Sequence, residues 1–191
     1  LNTFMNALTG ADFTCYPAAS QVEQDFYNLL DVYLDAVFHP LIKEMSFLQE
    51  GWRIEYANPQ DPNSPLVYKG VVYNEMKGAL SSPTTRLIEH VNAALYPNSP
   101  YGFNSGGDPS EIPNLTYNEL IAFHKNYYHP SRCLFFFYGN LPLKKHLDQV
   151  AQKCLKGVQK LEKLPPIPKQ PRFLRPVYKE AFYPIAADEV A

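Results

Sequence analysis

The sequence predicts an α+β fold, with helices packed on one face of a mostly antiparallel sheet. Three observations lead there. Gln21 to Phe38 carries Val22, Phe26, Leu29, Leu30, Tyr33 and Val37 at three- and four-residue steps, the spacing of one buried helix face. Arg132 to Tyr138 is a short apolar and aromatic run closed by Gly139-Asn140, the pattern of a strand and its turn. Helical and strand-like segments follow one another without a regular βαβ order, so a parallel, doubly wound sheet is not expected.

The elements follow in chain order. Leu1 to Leu8 has the look of a helix end, broken by Gly10, and Asp12 to Ala18 alternates like a strand. The long helix over 21–38 stops at His39-Pro40, because the residue before a proline is pushed out of the helical region. Glu44 to Tyr56 is expected to be a second helix, with Phe47, Leu48 and Trp52 on one side. Asn58 to Pro65 is a turn-rich loop. Val67 to Leu80 starts like a strand and continues like a helix. Ser82-Pro83 is an N-cap followed by proline at the first helical position, opening a helix with Leu87, Ile88, Val91 and Leu95 on its apolar side. Tyr96 to Pro113 is a long loop. Thr116 and Glu119 form a capping-box pattern for the next helix. Leu143 to Gln159 is expected to be the last helix, with Leu147, Val150, Cys154 and Val158 aligned. Lys163 to Pro176 is proline-rich, and a strand is expected to begin at Val177 and run to Pro184.

Composition narrows the function classes. Apolar residues make up 46% of 191, enough for a real core. The formal net charge of −2 comes with no basic stripe, which speaks against nucleic acid as a partner. No apolar run approaches membrane-spanning length, so no membrane partner is expected. The three cysteines, Cys15, Cys133 and Cys154, include no C-x-x-C, which suits a reducing compartment rather than a disulfide framework. The sequon at Asn114 is read as chance. The chain opens on Leu1 in what looks like mid-structure and is expected to be an excised or processed piece.

Few residues announce chemistry. H-E-x-x-H, H-x-x-E-H, the phosphate-binding glycine motifs and G-x-S-x-G are all absent. His39, His90, His124, His129 and His146 never fall at metal-ligand spacing and are expected at the surface or in caps. Glu75, in "GVVYNEMKG", reads by spacing alone as an ordinary helix residue. Its neighbours Val71, Val72 and Met76 suggest a largely buried segment, and a carboxylate there would want a partner. Gly106-Gly107-Asp108-Pro109 reads as a turn, and Asn6-Ala7 as another.

A resemblance sharpens this. "LNTFMNALTGADFTCYPAAS", "DFYNLLDVYLDAVFHP", "FLQEGWRIEY", "VYKGVVYNEMKGA", "YGFNSGGDP", "IPNLTYNELIAFHKNYYHPSR" and "FFFYGNLPL" occur in order. Together they closely resemble the presequence protease branch of the pitrilysin/insulinase family of zinc metallopeptidases, from Leu1 to about Val150. The resemblance implies an inverted H-x-x-E-H motif whose histidines bind zinc and whose glutamate is the general base, with a third ligand from a downstream glutamate. Glu75 matches that third ligand. Asn6 and Ala7 match positions that contact substrate backbone, where a peptide adds as a strand to a sheet edge. H-x-x-E-H lies nowhere in these residues, so the piece alone is expected to be inactive and the function belongs to the parent protein.

The implied function of that parent is a zinc endopeptidase acting on unstructured peptides such as cleaved targeting sequences. A non-catalytic relative that serves as a scaffold or peptide-binding subunit is the alternative, and a stand-alone binding domain comes last. The expected organisation is 1–163 as part of the catalytic half-domain, 164–176 as linker and 177–191 as the start of the next half-domain. The remaining half-domains of the same chain are thus expected partners. The compartment would be bacterial cytoplasm or mitochondrial matrix.

Overall fold

The computed structural model describes residues 3–182. These described residues are mixed α+β, with six α-helices and three two-stranded antiparallel pairs among them. They divide into two compact units: residues 3–9, 14–43 and 116–165 form the first, and residues 10–13, 44–115 and 166–182 the second.

In the first unit, β1 (Phe4–Met5) pairs with β4 (Ala18–Ala19), and β2 (Leu8–Thr9) with β3 (Thr14–Cys15). The pairing Met5 with Ala18 continues in register to Leu8 with Cys15. Asn6 therefore faces Pro17. The expected helix end at Leu1 to Leu8 is thus a strand. Phe, Met, Leu and Thr in this stretch have no fixed local preference, and the partner segment 14–19 decides; Leu1 itself lies outside the described residues.

Helix α1 (Glu23–Phe38) runs as the periodicity requires, with Glu23 and Asp25 at its positive N-terminal end. Its most buried residues are Tyr27 and Leu34. Val22, expected on the buried face, is an exposed cap residue. Leu34 packs with Val150 and Cys154, and Leu30, Phe38, Phe135 and Phe137 close around them. Burying one such leucine contributes about 2 kcal/mol. Capping of α5 (Tyr117–Tyr127) is reciprocal: Glu119 N–H donates to Thr116 Oγ1 at 3.3 Å and Thr116 N–H to Glu119 Oε2 at 2.7 Å.

Helix α6 (Leu143–Val150) is shorter than expected, because a π-helical turn takes over at Ala151–Leu155. His146 on α6 is buried, contrary to its expected surface role. Its ring stacks on Phe137 at 4.5 Å and its Nδ1 shares a 3.2 Å hydrogen bond with the Tyr27 hydroxyl. The stacked ring and the hydroxyl give the buried imidazole an apolar and a polar partner. The expected strand over Arg132 to Tyr138 is a single turn at Pro130–Arg132 followed by extended chain with no ladder partner among the described residues. Alternation survives: Phe135 and Phe137 turn toward the core while Leu134, Phe136 and Tyr138 are 88%, 81% and 94% exposed.

In the second unit, α2 (Glu44–Glu50) ends where Gly51 N–H bonds the Phe47 carbonyl. The second helix expected to reach Tyr56 stops here. Arg53–Tyr56 instead forms β5, paired with β6 (Leu66–Lys69) across the loop of Asn58 to Pro65. Arg53, Glu55 and Lys69 make an ion-pair row along that pair, at 2.7 and 3.3 Å. Trp52 donates its indole N–H to the Leu115 carbonyl at 2.8 Å. Helix α3 (Val71–Ala79) follows β6 directly, and α4 (Pro83–Leu95) opens on the Ser82 cap, whose oxygen accepts from Thr85 N–H. The apolar stripe of α4, Leu87, Ile88, Val91 and Leu95, is exposed among the described residues rather than buried. Residues 177–182 form no strand, and Pro184 lies outside the described residues.

Candidate functional site

Glu75 sits in the middle of α3 in the second unit. Its helix begins by a backbone device. Gly70, the N-cap, has φ +153°, and any Cβ there would collide with the Gly51 carbonyl. That close approach brings the chain from β6 straight into α3, and Tyr73 N–H reaches the same Gly51 carbonyl at 3.3 Å. The segment is not buried as expected. Val71 and Val72 are 45% and 38% exposed, and Glu75 is exposed too. Of its nine residues Tyr73, against the Tyr68 ring, and Met76 are half-buried, and the others face solvent. The Glu75 carboxylate has no hydrogen-bond or ion-pair partner among the described residues.

The loop beside α3 keeps its turn character. Gly107 has φ +93°, and the Asp108 carboxylate accepts from Ser110 N–H at 2.8 Å and Ser110 Oγ at 2.7 Å. Those bonds hold the Asp108 carboxyl below its ordinary range. Gly106 lies against Met76, so this loop covers one side of α3.

Asn6 and Ala7 belong to the first unit, between β1 and β2. Both are exposed. Asn6 N–H donates to the Pro17 carbonyl at 3.0 Å, while Ala7 N–H is taken by Asn6 Oδ1 at 2.8 Å. Among the described residues β1 has β4 as its one ladder partner and β2 has β3. The Asn6 side chain thus closes a local bond on the backbone N–H of its own neighbour.

Among the described residues, no three His, Cys, Asp or Glu side chains come together as a metal-binding group. A catalytic zinc needs three protein ligands, so these residues alone do not fit one. His124 gives its Nε2 to the Val37 carbonyl at 2.9 Å and stacks on Tyr128, and His129 caps the turn at Ser131. All three cysteines are free thiols, and burial with Cys133 nearby pushes Cys154 up to about 11. No described helix is long and apolar enough to cross a membrane.

Comparison with known proteins decides the family. Residues 114–189 match the family model described as the Peptidase M16 inactive domain. The chain is 48% identical over 176 residues to the mitochondrial presequence protease of Xenopus tropicalis, covering 92% of this chain and 17% of that protein. This chain belongs to the pitrilysin family. The same identity and coverage hold against the presequence protease of Mus musculus, which places it in the presequence protease branch. A bacterial relative, Protein HypA of Clostridium perfringens, is 52% identical over 162 residues, 83% of this chain and 16% of that protein. The chain thus spans about one sixth of the length of the curated relatives it matches.

The sequence did not reveal the burial of His146, the bond from Tyr33 to Asn6 or the Tyr16–Tyr128 pair. No local motif marks them, because each acts on a residue far away in the chain.

Proposed function

We propose that the parent of this chain is a zinc-dependent metalloendopeptidase acting on unstructured peptides, such as cleaved targeting sequences, with Glu75 as one metal ligand. The observation that carries this is the Glu75 carboxylate, exposed on α3 and without a partner among the described residues, within a chain 48% identical to presequence proteases. A carboxylate is an accepted zinc ligand beside two histidines. The two histidines and the general base would come from an H-x-x-E-H outside these 191 residues. On that reading the isolated chain neither holds a catalytic zinc nor cleaves peptides.

Asn6 and Ala7 are the proposed substrate contacts, with the peptide added as a strand at the edge of the hairpin. The proposed partners are such peptides and the remaining half-domains of the same polypeptide, without nucleic acid or membrane. We assign 1–163 to the catalytic half-domain, 164–176 to a linker and 177–191 to the start of the next. The family-model match begins well before residue 164, at 114, which still leaves Glu75 on the N-terminal side of the domain described as inactive. The names of the relatives support mitochondrial matrix or bacterial cytoplasm, both reducing.

Glu75→Gln in the intact parent tests the assignment. Zinc content and peptidase activity should fall together; full zinc content in the variant overturns it. The description "inactive domain" favours a second reading, a non-catalytic scaffold or peptide-binding subunit. Sequencing the codons upstream of Leu1 separates the two, since only the peptidase requires H-x-x-E-H there.

A further inference from the structure

The geometry points to Tyr33 of α1 as a positioning residue that aims the Ala7 N–H at an incoming peptide strand. This rests on the strand-addition reading given above. In an antiparallel ladder, Asn6 facing Pro17 would exchange two hydrogen bonds with it. Asn6 N–H makes its half, to the Pro17 carbonyl at 3.0 Å. Pro17 has no N–H, so the Asn6 carbonyl is left without its ladder donor. Tyr33 supplies the missing donor: its hydroxyl donates to the Asn6 carbonyl at 3.3 Å.

The Asn6 carbonyl and the Ala7 N–H belong to one peptide unit. That unit is planar and trans, so its carbonyl and its N–H point in opposite directions. Fixing the carbonyl from α1 therefore fixes the direction of the N–H. The Asn6 side chain now fills that N–H, at 2.8 Å, and a substrate carbonyl would displace it. Without the Tyr33 hydroxyl, the unit would have no bond on its carbonyl side and could rotate. An added strand would then meet a donor that has to be reoriented, which costs binding rather than chemistry.

The test uses the full-length parent with a quenched unstructured peptide. Tyr33→Phe keeps the ring and removes one hydrogen bond. KM should rise about threefold to tenfold with kcat and zinc content unchanged, the size of one lost hydrogen bond. Adding Pro17→Ala restores an N–H opposite Asn6, and KM should return toward the parent value in the double variant. Asn6→Ala, as the reporter of the strand edge, should also change KM. If Asn6→Ala changes KM and Tyr33→Phe does not, Tyr33 has no positioning role and the edge reading stands. If neither variant moves KM, the edge reading itself fails, and the Tyr33 role with it. A loss of kcat and zinc in Tyr33→Phe that Pro17→Ala does not repair would assign Tyr33 to general folding and overturn the proposal.

Discussion

The hydroxyls of Tyr16 and Tyr128 hold each other at 2.8 Å, with their rings edge to face at 6.2 Å. They tie the residue after β3 to the C-cap of α5, both in the first unit. Burial pushes the Tyr16 hydroxyl well above its ordinary 10.0, and the bond to Tyr128 and the charge that Tyr128 would carry push it further. A tyrosine with a raised folded value contributes stability in its neutral form. That contribution is complete below pH 10.0 and is lost as pH climbs above it. Thermal midpoints measured from about pH 8 to about pH 11 should therefore fall at the alkaline end, and Tyr128→Phe should flatten that fall. An identical alkaline slope in Tyr128→Phe would separate the pair from the effect.

Gly70 and Gly78 flank Glu75 and should respond in opposite ways to alanine. At Gly70, with φ +153°, a Cβ would overlap the Gly51 backbone. Gly70→Ala should destabilise on the order of 2 kcal/mol or more, with loss of the β6–α3 junction. At Gly78 no atom lies within 4 Å of an added Cβ, and the position is helical. Gly78→Ala should stabilise by about 0.5–1 kcal/mol. Chemical denaturation of both variants reads the two signs directly, and a shared sign would contradict this backbone geometry.

The capping box of α5 predicts a measurable loss. Thr116→Ala removes the acceptor for Glu119 N–H and should cost about 1 kcal/mol, while Thr116→Ser should retain most of it. Equal stability of the alanine and serine variants in urea melts would mean that the cap contributes nothing here.

Leu134, Phe136 and Tyr138 present a nearly bare apolar row on extended chain that has no ladder partner among the described residues. Such an edge is a template for pairing with another copy. The 191-residue chain should self-associate as its concentration rises, and Phe136→Lys should suppress this in sedimentation experiments. A monomer at all concentrations would show that the edge is covered.

Much was legible in the sequence because it depends on neighbours along the chain. Helix α1 follows from its apolar period, α4 from Ser82-Pro83, α5 from Thr116 and Glu119, and the change from strand to helix within Val67 to Leu80 from the local pattern. The resemblance that singled out Glu75 also lives in contiguous segments. Tertiary structure decided what depends on distant partners. Phe4 to Thr9 became strand because 14–19 lies beside it, and Arg53 to Tyr56 left the expected helix to pair with Leu66 to Lys69. His146 was buried by Phe137 and Tyr27, and α3 was left more open than its valines suggested. The sequence by itself could mark Asn6. Only the fold set Pro17 opposite it and brought Tyr33 to the carbonyl that a proline cannot serve, because hydrogen-bond partnership is fixed by position in space and not by separation along the chain.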